Sequence, residues 1–98
     1  MFLRIIFFSA TTPRALEEGK RMWNSELAPL LKQQKGFCKA YRAAAYDEPG
    51  GVMVQLWESK ADEEAWRSLP EYQRIVGKLE TLLPELRIER DFVVDKEL

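Results

Sequence analysis

The sequence predicts an α+β fold with element order β-α-β-β-α-β: a four-stranded antiparallel sheet carrying helices on one face. Three observations predict it. The run Phe2-Leu3-Arg4-Ile5-Ile6-Phe7-Phe8 is largely apolar on both alternating faces, Leu3, Ile5 and Phe7 on one and Phe2, Ile6 and Phe8 on the other, which reads as a strand covered on both sides. Asp47-Glu48-Pro49-Gly50-Gly51 lies between two further strand-like runs and makes them a hairpin. Ser59 to Tyr72 starts a helix at the end of a strand, is broken at Pro70, and opens a second helix.

In chain order, Thr11-Thr12-Pro13 supplies a capping hydroxyl and a proline at the first helical position, where its missing N–H costs nothing. The helix that follows turns Leu16, Trp23, Leu27, Leu30 and Leu31 to the core, with Glu17 and Glu18 in its early turns suiting the helix dipole. Pro29 should kink it or split off its last turn, and Lys35-Gly36 should end it. Phe37 to Tyr46 reads as the second strand, and the small side chains of Ala43-Ala44-Ala45 leave room there for a neighbouring group or a ligand. Val52 to Glu58 reads as the third.

Ser59 and Asp62 form a capping box, hydroxyl to an orphan N–H and carboxylate reaching back. Asp62, Trp66 and Leu69 follow on one face, and after the break Tyr72, Ile75, Val76, Leu79, Leu82 and Leu83 fit the helical template. Pro84 ends that helix. Leu86 to Val94 supplies the last strand, with Leu86, Ile88, Phe92 and Val94 on one face, and the charged Asp95-Lys96-Glu97 tail frays. The order is the split βαβ arrangement of ferredoxin-like folds. It has no third helix for the sheet's second face, so two copies packing sheet to sheet are the expected cover, and a homodimer follows.

Composition narrows the partners. The 98 residues form one domain spanning 1–98, with no linker or repeat. Fifteen basic and sixteen acidic residues give a net charge of −1 with the signs interspersed, which argues against a nucleic-acid partner or a polybasic membrane contact. Cys38 has no second cysteine to pair with, and the absence of histidine removes the usual zinc ligand sets, so no metal is expected and a reducing cytoplasm fits best. The apolar opening has no basic residues before it and is too short to span a bilayer.

The stretch from Leu31 to Gly36-Phe37, the strand closing on Leu56-Trp57-Glu58-Ser59-Lys60, and Glu64-Ala65-Trp66-Arg67-Ser68-Leu69-Pro70-Glu71-Tyr72 resemble the antibiotic biosynthesis monooxygenase domains of the dimeric α+β barrel superfamily. The resemblance covers nearly the whole chain. It implies a dimeric barrel and, in the cofactor-free oxygenases of the family, a polycyclic phenol held between helices and sheet and oxidised by O₂ without metal or flavin. In the family that pocket is lined by a tryptophan, a tyrosine, an amide and an arginine. Trp66 and Tyr72 match the first two and are the candidate catalytic residues; Asp62 falls where an asparagine is expected, and Arg87 is the candidate arginine with Arg90 as its alternative. The haem-degrading branch needs a histidine where Val76 stands and an asparagine where Phe7 stands, so haem is not expected.

Each of these residues also has a purely structural reading. Trp66 and Tyr72 sit on apolar stripes and can be core; Asp62 can be a helix cap; Arg87 and Arg90 can pair with Glu89 or Asp91; Trp23 and Trp57 are packing residues. Two functions stay open. One is a cofactor-independent monooxygenase acting on a phenolic or quinol small molecule. The other is a non-catalytic dimeric barrel that binds a small apolar ligand or serves assembly alone.

Overall fold

The structure, a computed structural model, describes residues 1–9, 12–82 and 88–98. Strand β1 (Phe2–Ser9) leads into helix α1 (Pro13–Met22), which continues through a π-helical turn (Trp23–Leu27) into α2 (Ala28–Lys32). Strands β2 (Phe37–Ala44) and β3 (Gly50–Trp57) form the hairpin, followed by α3 (Lys60–Arg67), α4 (Pro70–Leu82) and β4 (Ile88–Val93). The sheet order is β2-β3-β1-β4 with every neighbouring pair antiparallel, as the element order predicts.

Local chemistry explains the boundaries. Thr12 Oγ1 accepts from the Ala15 N–H at 3.1 Å, and Pro13 opens α1. Glu17 and Glu18 lie beyond the first turn, where the dipole has faded, and pair instead with Lys20 and Arg21. At Pro29 the last turn is set off as the sequence leads one to expect: α2 is divided from α1 by the π-helical turn. Pro29 has no N–H to donate, and the backbone widens ahead of it so that the Ala28 N–H reaches the Trp23 carbonyl five residues back. Strand β2 ends at Ala44, two residues before its expected end, and carries a bulge at Cys38 between Phe37 and Lys39. Leu83, Pro84 and Leu86, expected to close α4 and open the last strand, lie outside the described residues.

The capping box is half made. Ser59 Oγ accepts from the Asp62 N–H at 3.2 Å, while the Asp62 carboxylate takes the Ser59 hydroxyl at 3.0 Å rather than its backbone N–H. The same carboxylate lies against Gly36, whose φ of +81° is left-handed and whose absent Cβ would stand 2.1 Å from Asp62 Oδ2. Gly36→Ala therefore combines backbone strain with a steric clash and is expected to lower stability by about 1–3 kcal/mol. Urea denaturation would measure it; a loss below about 0.5 kcal/mol would mean that Asp62 swings away freely.

The sheet's two faces differ. On the helix side Phe2, Leu27, Leu31, Trp57, Trp66, Tyr72, Ile75 and Val76 form one buried cluster, with Trp66 between Trp57 (ring centroids 6.4 Å) and Tyr72 (4.8 Å). On the other side Leu3, Ile5 and Phe7 of β1 lie opposite Leu56, Val54 and Val52 of β3, with Tyr41 and Phe92 on the flanking strands. Phe7, Tyr41 and Phe92 are 46%, 60% and 46% exposed. The molecule's smallest extent is 18 Å, which is one sheet and one helical layer.

A buried charge cluster ties α3 to the sheet, and sequence patterning passes over it. Arg4 faces the helices from β1 and contacts Glu63 of α3 (3.2 Å) and, on β4, Asp91 (2.8 Å) and Glu89. Glu63, with no exposed surface, also receives the Arg67 Nε–H at 2.7 Å. Burial alone would lower the Arg67 pKa, but the Glu63 hydrogen bond and the charges of Glu63, Asp91 and Glu89 outweigh it and raise the pKa. Glu89 and Asp91 thus reach Arg4 on the helix side of the sheet, the face of β4 opposite Arg90.

Candidate functional site

Helices α1 and α4 and the π-helical turn do not close fully on the sheet. The gap is an apolar cleft with Ile6, Phe8 and Met53 as its floor, Leu16, Trp23 and Leu27 on one wall, and Tyr72, Val76 and Leu79 on the other. The room it offers to a water-sized group is about 110 Å³, and its whole empty space, open solvent at the mouth included, is about 760 Å³. A dry cavity of about 150 Å³ holds one benzene, so a polycyclic ligand would have to extend into the mouth. Polar groups are few there. Lys20, Arg42 and Glu80 line the cleft beside the apolar walls, and Arg42 is held by Asn24 Oδ1 at 2.9 Å.

The residues singled out from the sequence are not gathered at one place. Tyr72 lines the cleft, 8% exposed. Trp66 is 1% exposed and stands behind Tyr72, its ring packed edgewise against the tyrosine rather than against the cleft. Asp62 is outside the lining, occupied with Ser59 and the backbone of Gly36. Arg87 lies outside the described residues. Arg90 pairs with Ile5, so the strand pleat puts it on the open face of the sheet, away from the cleft. Among the described residues, no three His, Cys, Asp or Glu side chains are grouped to hold a metal ion.

The most deeply placed polar group of the lining is Gln55, which sequence reading missed. Only 2% exposed, it stands between Met53 and Trp57 on the helix-facing side of β3. Trp57 Nε1 donates to its Oε1 at 3.1 Å. A signal was available: Gln55 is the one polar side chain in Val52-Met53-Val54-Gln55-Leu56-Trp57, and alternation puts it on the same face as the tryptophan. A second hollow, lined by Ala43, Ala44, Ala45, Phe7 and Val52 among others, opens where the alanine run makes room at the sheet's end.

Comparison with known proteins bears on the whole arrangement. The family model described as antibiotic biosynthesis monooxygenase matches residues 1–78. No protein of curated function matches the sequence. Among solved structures, the fold matches a monooxygenase from the ActVA-Orf6 gene of Streptomyces coelicolor in complex with nanaomycin D at TM-score 0.87 and 16% identity, over 99% of this chain and 89% of that one. Rv0793 of Mycobacterium tuberculosis matches at 0.81 and 14% identity, over 99% and 98%. The cofactor-independent oxygenase SnoaB of Streptomyces nogalater matches at 0.76 and 16% identity, over 99% and 94%. At these identities the structures speak to the fold.

Proposed function

We propose a function from the premise that this chain belongs to the antibiotic biosynthesis monooxygenase family: it is a cofactor-independent monooxygenase that oxidises a phenolic or quinol small molecule with O₂, working as a homodimer. The observation that carries the reading is the cleft, an apolar slot between helices and sheet with Tyr72 in its wall and a few polar groups to orient a flat ligand. The Streptomyces coelicolor relative holding nanaomycin D and the cofactor-independent oxygenase SnoaB lend it support. In the reaction a phenol takes up O₂ and leaves as a quinone, one oxygen atom entering the ring and the other departing as water, with the ring supplying all four electrons. The chain's part is to hold the ring, favour its phenolate and keep water from the reacting carbon.

Tyr72 is the group proposed to touch the substrate. Trp66 acts through it, as a positioning residue whose ring sets the tyrosine's angle. Asp62 contributes to the site only by starting α3, and Arg87 retains its proposed role as the substrate-binding cation. The competing reading, a barrel that binds an apolar molecule without turnover, is favoured by one observation: Asp62 and Trp66 lie outside the cleft lining.

Oxygen uptake by chelator-treated protein over a panel of hydroquinones and polycyclic phenols separates the two. The expected result is uptake that survives the chelator and falls at least tenfold in Tyr72→Phe, in keeping with the worth of one acid–base group. Trp66→Phe, which opens space in the core, should both slow uptake and lower stability by about 1–3 kcal/mol. Binding of panel members without uptake would leave the non-catalytic barrel.

A further inference from the structure

The amide of Gln55 is held in one orientation. The Trp57 indole can only donate, so the amide oxygen must face it, and the assignment of oxygen and nitrogen follows from the bond itself. Trp57 cannot yield, being wholly buried between Phe37 (ring centroids 5.5 Å) and Trp66. The amide nitrogen is left with two N–H donors that no described residue accepts, on a side chain 2% exposed that lines the cleft. Among the described residues this nitrogen is not one of the polar atoms sealed from solvent without a partner, so its N–H groups open on the cleft and on what enters it. A locked amide whose donors meet a cavity is the arrangement expected of a recognition group.

We propose that Gln55 reads the ligand: its Nε2 donates to an oxygen acceptor, a ring carbonyl or phenolate, on an otherwise apolar aromatic molecule seated in the cleft. The inference rests on the reading of the cleft as the ligand site but not on turnover. It assigns to β3, through the Gln55–Trp57 pair, the donor that Asp62 cannot supply from α3. The occupant it selects has an acceptor directed at the sheet and an apolar body against Met53, Leu16 and Val76. Hydrocarbons of the same shape bind less well, because they leave the amide unanswered.

The test uses 1-tetralone and tetralin, which differ by a carbonyl in place of a methylene, with binding followed by tryptophan fluorescence in wild type and in Gln55→Met. Methionine has nearly the volume of glutamine and removes both the donors and the acceptor of Trp57. A merely structural Gln55 would weaken both ligands together. The expected result is a ketone preference over the hydrocarbon that falls about threefold to tenfold in Gln55→Met, the range of one hydrogen bond. An unchanged preference overturns the proposal. Should the variant not fold, the infrared carbonyl stretch of 1-tetralone bound to wild type decides. A band lowered from its position in hydrocarbon solvent supports a donor at the carbonyl, and an unshifted band overturns it. Failure of both ligands to bind wild type overturns the cleft reading and this inference together; ketone-selective binding without oxygen uptake in the hydroquinone panel removes the oxygenase and leaves Gln55 in its role.

Discussion

Replacing Arg4 by methionine is expected to destabilise the protein by about 3–5 kcal/mol, the usual consequence of removing one partner of a buried ion pair. Methionine keeps the chain's bulk, so the loss reads out charge rather than a cavity. Without the guanidinium, Glu63 is left fully buried with Arg67 as its remaining cation, and Glu89 and Asp91 approach it across the vacated space. Glu89 and Asp91 keep 34% and 40% of their side chains in contact with solvent and can turn outward; Glu63 cannot. For a domain of this size each kcal/mol lowers the melting temperature by about 4–8 °C. Adding Glu63→Leu to Arg4→Met should recover most of the loss, since taking out both members leaves no orphaned charge in the interior. A single-variant loss under 1 kcal/mol, or a double variant no better than the single, would show that the cluster is solvated and contributes little.

Val54→Asp is expected to break the proposed homodimer. Val54 lies opposite Ile5 on one side and Tyr41 on the other, near the middle of the face that carries Leu3, Phe7, Val52, Leu56 and Phe92. A two-fold interface places the new carboxylate twice, and burying an unpaired charge against an apolar partner costs several kcal/mol at each place. Since about 1.4 kcal/mol is a factor of ten, association should weaken by at least two orders of magnitude. Sedimentation equilibrium would show wild type at twice 11.5 kDa and the variant at 11.5 kDa at micromolar concentration. Wild type running as a well-behaved monomer would sink the barrel, and the exposed face would then need another occupant.

The two variants probe opposite faces of one sheet, and they mark where sequence patterning succeeds and where it fails. The strand β1 reads from Phe2 to Phe8 as apolar on both faces, and its register against β3 follows that alternation. The single arginine in the run passes as an interruption because hydropathy scores one residue at a time. Its meaning depends on Glu63, Glu89 and Asp91, which reach it from positions 59 to 87 residues away, and no local period links those positions. The same holds for α3, where the pattern singles out Asp62, Trp66 and Leu69 and leaves Glu63 among the solvated charges. The helix in fact buries Glu63 and Trp66 together.

The site divides in a similar way. Tyr72 is legible as the first member of an apolar helical stripe and does reach the cleft. Trp66 and Tyr72 are equally legible as members of a stripe, but only the angle between α3 and α4 puts one ring at the cavity and the other behind it. Asp62 reads correctly as a cap, and its contact with Gly36 shows how thoroughly that role occupies it. Gln55 is invisible to a search for charged or nucleophilic groups, though its place on the face of Trp57 is implicit in the two-residue period of a strand.

The order of elements, the hairpin, the helix starts at Thr12 and Ser59, and the apolar character of both faces of β1 are legible along the chain, because each depends on neighbours within one or two turns. Packing settles which of those apolar and polar groups share a space: Arg4 with three carboxylates, Trp66 behind Tyr72, and Gln55 turned to the cleft by Trp57. Local rules fix where a side chain points along its own element. What it meets there is set by how the elements pack, and the chemistry of the cleft belongs to that second decision.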